Sequence, residues 1–200
     1  MFYYRNKLKN AIEKHHNEIN ENLNLPTYGE LTAYLDTLYK NNEHLKYVIN
    51  YLLINYGVRN KDLDVIIVRD KKHITNDDNY FVVLKTRVIW VRNVYKTAGK
   101  YGSKSITIKN IKFMKSLNAL QRGDNAPLLI NASGGRIADG TIGYFIQNLT
   151  LDRIGEGNIA KIIMKHNEGN YNKLTELSNH RGTNVETLIS RYNINTSQVL

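Results

Sequence analysis

The hydrophobic pattern of the chain changes period twice, and this change constrains the fold more than any other feature. Apolar residues first recur at helical spacing, then occur in short β-branched and aromatic runs, and then return to helical spacing. Helices are predicted at 29–40, 43–56, 111–121, 139–150, 158–167, 170–179 and 184–192. Strands are predicted at 64–68, 80–84, 88–94 and 105–108, with a glycine-containing turn at 95–102 and an extended segment at 128–130. This order predicts an α+β fold, mostly helical, with a small antiparallel sheet between helical layers.

The length of 200 residues suits one domain with a small appendage. Residues 1–26 are predicted to form an N-terminal helical arm, because they are polar and carry only a thin apolar stripe. Pro26 breaks this pattern, and Thr27 can cap the helix that follows. The main domain is therefore predicted over 27–200.

Positive charge dominates the composition, with 28 Lys and Arg against 18 Asp and Glu and a formal net charge of +10. Such a surplus favours a polyanionic partner, with nucleic acid ahead of an anionic membrane surface. From Lys85 to Lys115 there are nine basic residues and no acidic one. A solvated hairpin is the ordinary interpretation of such a run, but the complete lack of carboxylates favours an element that faces phosphate.

The chain contains no cysteine, which excludes a disulfide framework and a thiolate metal site. The six histidines do not show metal-ligand spacing, so no metal or other cofactor is expected. The sequence has no stretch of the roughly 18 apolar residues that a membrane span needs, and no signal peptide is recognised. We therefore expect an intracellular protein, in the cytoplasm or at a host nucleoid or nucleus, without a membrane partner.

The segment from Glu176 to Ile194 reads as a helix, a tight turn and a second helix that ends at Tyr192. Residues at helical spacing are expected to face inward: Leu174, Leu177, Val185, Leu188 and Ile189. This places Arg181, Thr183 and the Tyr192 hydroxyl near the open side of the turn. Taken alone, a tyrosine in this position is most simply a packing residue.

Four short motifs, of which this turn is the last, follow one another along the chain. They are Gly57-Val58-Arg59-Asn60-Lys61-Asp62-Leu63, Lys96-Thr97-Ala98-Gly99-Lys100, Pro127-Leu128-Leu129 through Gly134-Gly135-Arg136-Ile137-Ala138, and Arg181-Gly182-Thr183-Asn184 leading to Tyr192. In this order they resemble the motifs of the tyrosine-recombinase catalytic domain, found in phage integrases and in Xer-type and Cre-type enzymes. The resemblance covers about residues 27–194.

The resemblance implies transesterification at a DNA phosphodiester, with a 3′-phosphotyrosyl intermediate and without metal or ATP. A phenol with a pKa of about 10 is a poor nucleophile, so positive donors are needed around the phosphate. The candidate catalytic residues are Tyr192, Arg59, Lys96, Lys161, His180 and Thr183. In these roles Arg59 would grip the phosphate, Lys96 would protonate the leaving 5′-oxygen, and Asp62 would steady the arginine turn. Candidate DNA contacts are Arg87, Arg92, Lys100, Lys104 and Arg181.

The resemblance further implies a double-stranded DNA partner, a homo-oligomer on DNA, and an origin in a virus or other mobile element. The chain departs from the family at the second arginine of its catalytic set. Depending on the alignment, Ala160 or Lys161 takes that place. Two alternatives therefore stay open: a catalytically impaired relative that binds DNA as an architectural or regulatory protein, and a helix-turn-helix regulator built on 170–192.

Overall fold

A computed structural model of the protein describes residues 25–192 and residue 194. The predicted arm lies outside these residues, except for its last two positions. The helices are α1 (Tyr28–Lys40), α2 (His44–Tyr56), α3 (Ala98–Tyr101), α4 (Ile111–Ala119), α5 (Ile142–Gln147), α6 (Glu156–His166), α7 (Tyr171–Arg181) and α8 (Val185–Tyr192). The strands are β1 (Val65–Val68), β2 (Asn79–Val83), β3 (Val88–Arg92), β4 (Lys104–Ile108) and β5 (Ala126–Pro127). Among the described residues, no helix is long and apolar enough to cross a bilayer.

The first two helices form where the sequence predicts them. Thr27 caps α1 through a capping box, in which Glu30 N–H donates to Thr27 Oγ1 at 3.2 Å and Thr27 N–H donates to Glu30 Oε2 at 2.6 Å. α2 is buried over most of its length, and each fully buried Leu or Ile side chain in such a helix stabilises the fold by about 1.5–3 kcal/mol. The helix ends at Gly57, which adopts a left-handed conformation with φ 57°.

The strands of the described chain form one sheet in the order β4-β3-β2-β1-β5. The predicted α+β class is confirmed, and three of the four strand pairings are antiparallel, as expected. The exception is that β1 and β2 run parallel. The segment 69–78 carries the chain back to the starting end of β1, which a parallel neighbour requires. β5 is a two-residue strand at the opposite edge from β4, and Pro127 suits an edge because it has no N–H to donate.

One face of the sheet packs on α2 and α4 through aromatic side chains. The ring centroids of Phe81 and Trp90 lie 5.7 Å apart, and Phe113 of α4 lies 5.9 Å from Phe81 in an edge-on arrangement. Trp90 also meets Tyr56, near the end of α2, at 6.1 Å. The sheet therefore fixes the end of α2, and with it the start of the Arg59 turn.

Three segments differ from the sequence-based expectation. The predicted turn at 95–102 contains the short helix α3. The predicted helix at 139–150 begins as a 3₁₀ turn, Asp139–Thr141, and continues as the shorter α5. The predicted extended segment at 128–130 lies just beyond the two-residue strand β5 and is held by a hydrogen bond from Leu128 N–H to the Val65 carbonyl at 2.9 Å and by a bridge between Ile130 and Arg136.

The C-terminal helices α6, α7 and α8 cover the end of α2. Leu174 and Leu177 of α7 are fully buried, and Leu188 of α8 is 1% exposed, so the predicted inward face is confirmed. Ile189 is half-buried at the margin of this face. α7 ends at Gly182, which adopts a left-handed conformation with φ 63°.

Candidate active site

Arg59 lies in the turn that leaves α2. Its N–H donates to Asp62 Oδ2 at 3.0 Å, and Asp62 N–H donates to the Arg59 carbonyl at 3.0 Å. These two bonds close the 3₁₀ turn Asn60–Leu63. Because Asp62 is 1% exposed, the turn is held from inside the protein. The predicted role of Asp62 in steadying this turn agrees with these contacts.

Two further arginines, Arg92 and Arg181, lie near Arg59, and together the three form what we call the arginine cluster. Arg92 Nη1 lies 3.4 Å from Asp62 Oδ2, and both side chains are 1% exposed. Burial raises the pKa of Asp62, whereas Arg92 and the hydrogen bond from Arg59 N–H oppose that rise. Burial lowers the pKa of Arg92, and Asp62 opposes it. The cluster is therefore a desolvated set of cations whose charge is only partly balanced.

The side chains of Arg59 and Arg181 each donate to a backbone carbonyl in the other's segment. Arg59 Nη1 donates to the Arg181 carbonyl, and Arg181 Nη1 donates to the Gly57 carbonyl. Arg181 Nη2 also forms an ion pair with Glu156 Oε1 at 2.6 Å. Segments far apart in sequence are thus joined at the point where α2 and α7 end.

Tyr192, the last residue of α8, lies beside this cluster. The Arg181 guanidinium carbon is 5.9 Å from the centroid of the Tyr192 ring. Burial lowers the pKa of Arg59 and the neighbouring Arg181 adds to that effect, while Asp62, Glu156 and Tyr192 oppose it electrostatically. Arg59 and Tyr192 therefore each lie against Arg181, Arg59 through its carbonyl and Tyr192 through its guanidinium. The structure brings together the upstream guanidinium and the C-terminal tyrosine that the sequence singles out.

The loop that carries Lys96 packs against the turn at Gly182. Thr97 Oγ1 donates to the Gly182 carbonyl at 2.6 Å. A Cβ atom at position 182 would lie 2.4 Å from Thr97 Oγ1 and 2.7 Å from the Tyr95 ring, so only glycine fits here. Lys96 itself is exposed. Its backbone is held at the margin of the cluster while its side chain is free to extend into solvent.

The other predicted catalytic side chains have no direct contact with Arg59 or Tyr192 among the described interactions. Lys161 is half-buried on α6 and is not among the charged groups that act on Arg59. The His180 ring contacts Glu176 Oε1 at 3.3 Å and lies edge-on to Tyr56 at 5.2 Å, rather than on Arg59 or Tyr192. Burial lowers the pKa of His180 to about 4, and Arg92 adds to the shift. Thr183 is half-buried between Gly182 and the start of α8.

Arg92 and Arg181, which the sequence suggested as DNA contacts, are buried side chains. Arg92 is 1% exposed and Arg181 is 5% exposed. Local periodicity could have revealed both positions. Arg92 follows Trp90 by two residues on β3 and so shares its inward face, and Arg181 follows Leu177 by four residues on α7. Glu156, the ion-pair partner of Arg181, carried no sequence signal of its own.

The exposed positive charge lies instead on the β3–β4 hairpin and the turns around it. We call this surface the basic hairpin, and its exposed cations are Lys85, Arg87, Lys96, Lys100 and Lys109. Lys104 belongs to the same strands but is half-buried, and its Nζ donates to the Asn179 carbonyl at 2.6 Å. Burial lowers the pKa of Lys104, and Arg92 contributes to the shift. Lys104 therefore ties β4 to α7, in addition to any contact with a partner.

No protein-family model matches the chain, and no curated protein matches it in sequence. The fold is similar to that of a solved structure described as the crystal structure of XerA recombinase, with a TM-score of 0.52 and 14% sequence identity. The match covers 88% of this chain, whereas the chain spans only 62% of that recombinase. At this identity the likeness establishes a fold of the recombinase type.

Proposed function

We propose that this protein is a site-specific recombinase or integrase that cuts and rejoins double-stranded DNA through a 3′-phosphotyrosyl intermediate. The observation that carries the proposal is the meeting of Arg59 and Tyr192 at Arg181. The two residues come from distant parts of the chain, and both lie against Arg181. The fold shared with XerA recombinase supports the same reading.

In the proposed reaction the Tyr192 oxygen attacks the phosphorus of a DNA phosphodiester, and its proton passes to solvent as the new P–O bond forms. The bond from phosphorus to the 5′-oxygen breaks, and that oxygen leaves as a hydroxyl after it gains a proton. One phosphodiester replaces another, so the bond energy is conserved for rejoining and no external energy source is needed.

Arg59 is the proposed ligand of the phosphate. A guanidinium has five N–H donors in a fixed fork that matches two phosphate oxygens. One Nη1 donor is committed to the Arg181 carbonyl, which leaves the others to bind an anion. Because Arg59 is half-buried and burial lowers its pKa, its charge is less screened than a surface charge and would stabilise the negative charge that develops at phosphorus.

Lys96 is the proposed general acid for the leaving 5′-oxygen. Its backbone is held beside Gly182 through Thr97, and its long exposed side chain can reach a bound DNA strand. We retain His180 and Thr183, which adjoin the turn after Arg181, and Lys161 on α6 as further candidates. The remaining proposed DNA contacts are Arg87, Lys100 and Lys104, and a homo-oligomer assembled on DNA completes the proposal.

The proposed organisation assigns 27–200 to the catalytic domain and 1–26 to an arm that contacts the DNA. A basic chain with net charge +10 and a carboxylate-free hairpin fits a partner of high negative charge density.

Covalent trapping tests the proposal. The protein is incubated with a random-sequence pool of nicked DNA duplexes, in which the short 5′-hydroxyl strand released by cleavage diffuses away. A phosphotyrosyl adduct should accumulate with the wild type and be absent from Tyr192→Phe and Arg59→Ala. Tyr171→Phe is the matched control, because Tyr171 is a 42% exposed tyrosine at the start of α7 and should leave the adduct unchanged.

A second candidate is a catalytically impaired descendant that binds DNA as an architectural or regulatory protein. It is favoured by Ala160, a 1% exposed alanine at one of the two positions aligned with the second family arginine. It predicts salt-sensitive DNA binding that is the same in wild type and Tyr192→Phe, with no adduct in either. The trapping experiment therefore separates the two candidates.

A further inference from the structure

Arg181 is the residue on which the parts of the site converge. Its side chain is 6% exposed, and both of its Nη atoms are committed to protein groups. Nη1 donates to the Gly57 carbonyl and lies 3.4 Å from the Val58 carbonyl, while Nη2 donates to Glu156 Oε1 at 2.6 Å. A planar fork is suited to this bridging, because its donors leave in fixed directions.

The carbonyls that Arg181 binds belong to the two residues that precede Arg59. The carbonyl of Arg181 in turn accepts the hydrogen bond from Arg59 Nη1. The backbone before Arg59 and the Arg59 guanidinium are thus both positioned by the same residue. Rotation of the Arg59 side chain away from the cluster would break its hydrogen bond to the Arg181 carbonyl.

Arg181 also touches the proposed nucleophile. Its guanidinium carbon lies 5.9 Å from the centroid of the Tyr192 ring. Tyr192 is the last residue of α8, and helix ends fray more readily than helix centres. A contact from the neighbouring helix α7 therefore limits where the tyrosine ring can go.

Glu156 is what keeps Arg181 in this position. It is in the first turn of α6, and its side chain is 16% exposed. Lys161 of the same helix lies roughly 140° around α6 from Glu156, at about 100° per residue, so it cannot share this contact. Ala160 is on the Glu156 side of α6, is 1% exposed, and has no charge to offer.

We infer that Arg181 is a positioning residue for the proposed strand transfer, which sets Arg59 and Tyr192 relative to each other and is itself held by Glu156. This inference rests on the proposed function. The competing view is that Arg181 and Glu156 form a buried ion pair that only supports the fold. The two views differ in what happens when both charges are removed together.

The test compares Arg181→Met, Arg181→Lys and the double variant Arg181→Met with Glu156→Gln. Arg181→Met leaves Glu156 as a poorly solvated, unpaired carboxylate and should lower the stability to urea, whereas the double variant should recover most of that loss. We expect the adduct to form about a hundredfold more slowly in both, since a small displacement of reacting groups has that effect. The rates are measured at saturating protein. The affinity for DNA, measured by titration at fixed salt, should be unchanged.

Arg181→Lys keeps the charge but can reach only one of the two partners, so we expect an intermediate rate, about tenfold below wild type. If the stabilised double variant forms the adduct at the wild-type rate, Arg181 is only structural and the inference is overturned, while the proposed function stands. If the wild type forms no adduct at all, the proposed function and this inference fall together.

Discussion

The arginine cluster and the basic hairpin are both positively charged, but they are built in opposite ways. In the cluster, Arg92 and Arg181 are almost fully buried, each guanidinium donates to a backbone carbonyl, and Asp62 and Glu156 lie among them. In the hairpin, the cations are exposed, and the sequence from Lys85 to Lys115 contains no carboxylate at all. Buried guanidinium groups with fixed directions are suited to binding a single phosphate in one geometry. Exposed and mobile charge suits a long polyanion in many registers.

The two regions should therefore respond differently to substitution. Substitutions in the cluster should change the rate of a chemical step while DNA stays bound. Substitutions in the hairpin should change the affinity and its dependence on salt while the bound complex still reacts.

Lys96 belongs to the basic hairpin, but its loop is fixed against Gly182 beside the arginine cluster. It therefore tests where the boundary between the two regions lies. If it is a general acid, Lys96→Met should slow adduct formation by about 10²–10⁴-fold with little change in DNA affinity. A substrate with sulfur as the 5′-bridging atom should restore the rate, because a thiol with a pKa of about 8.5 leaves without a proton donor. Lys100→Met is the matched control from the same loop. A Lys96→Met protein that sulfur does not rescue would assign Lys96 to binding.

Exchanging arginine for lysine in the cluster, and lysine for arginine on the hairpin, tests whether each region needs the guanidinium or only its charge. Arg59→Lys keeps one positive charge but loses the fork, so adduct formation should fall by about 10²–10³-fold. The reverse exchange on the hairpin, Lys100→Arg, also keeps the charge and should leave both rate and affinity as they are. Rates of adduct formation at saturating concentrations of the nicked duplex pool check the first expectation for both variants, and titration of the DNA at fixed salt checks the affinity. Equal tolerance at the two positions would mean that the cluster acts through charge alone.

The sequence was informative wherever a local pattern decides the structure. Helical spacing located α1 and α2 to within a residue or two, and Pro26 followed by Thr27 marked the first cap. The turn after Gly57 and the position of Asp62 followed from the helix-stop signal and the motif order. These features depend on contacts between residues close in sequence.

What the sequence could not reveal depends on contacts between distant residues. The parallel pairing of β1 with β2 is set by the route of the segment 69–78, which has no periodic signature. The pairing of Arg181 with Glu156 joins two helices and could be found only in three dimensions. The burial of Arg92 was visible in the alternation of β3, but the positive surplus of the region favoured a surface interpretation.

On the basic hairpin, the double variant Lys100→Gln with Lys109→Gln should weaken DNA binding in proportion to the phosphate contacts it removes. Each lost contact should reduce the slope of log affinity against log salt by about 1, and therefore by about 2 in total. Fluorescence anisotropy with a labelled duplex at several salt concentrations measures this. Lys165→Gln is the control, since Lys165 of α6 pairs with Glu168 at 3.4 Å and should not change the slope. An unchanged slope in the double variant would remove the hairpin from the DNA interface.

Substitution of His180 should have the smallest effect on stability at neutral pH. Its pH dependence reports how strongly the region around Arg92 is desolvated. The pKa of His180 is lowered from 6.5 to about 4, first by burial and then by Arg92. The folded protein therefore disfavours the protonated ring. Above pH 6.5 the ring is neutral in both the folded and the unfolded state, and protonation of His180 does not reduce the free energy of unfolding. As the pH falls from 6.5 toward 4, the free energy of unfolding decreases by about 1.36 kcal/mol per pH unit, because only the unfolded state takes up the proton.

Urea unfolding at pH 7.5, 6 and 5 measures this loss directly. His180→Gln should flatten the dependence, because neither state of the variant takes up that proton, and all other titrating groups cancel in the difference from wild type. His166→Gln, which removes an exposed histidine and leaves His180 in place, should keep the wild-type dependence. If wild type and His180→Gln lose stability in parallel between pH 6.5 and 5, then His180 is solvated. Arg92 beside it would then lie in a less desolvated cluster than its 1% exposure indicates.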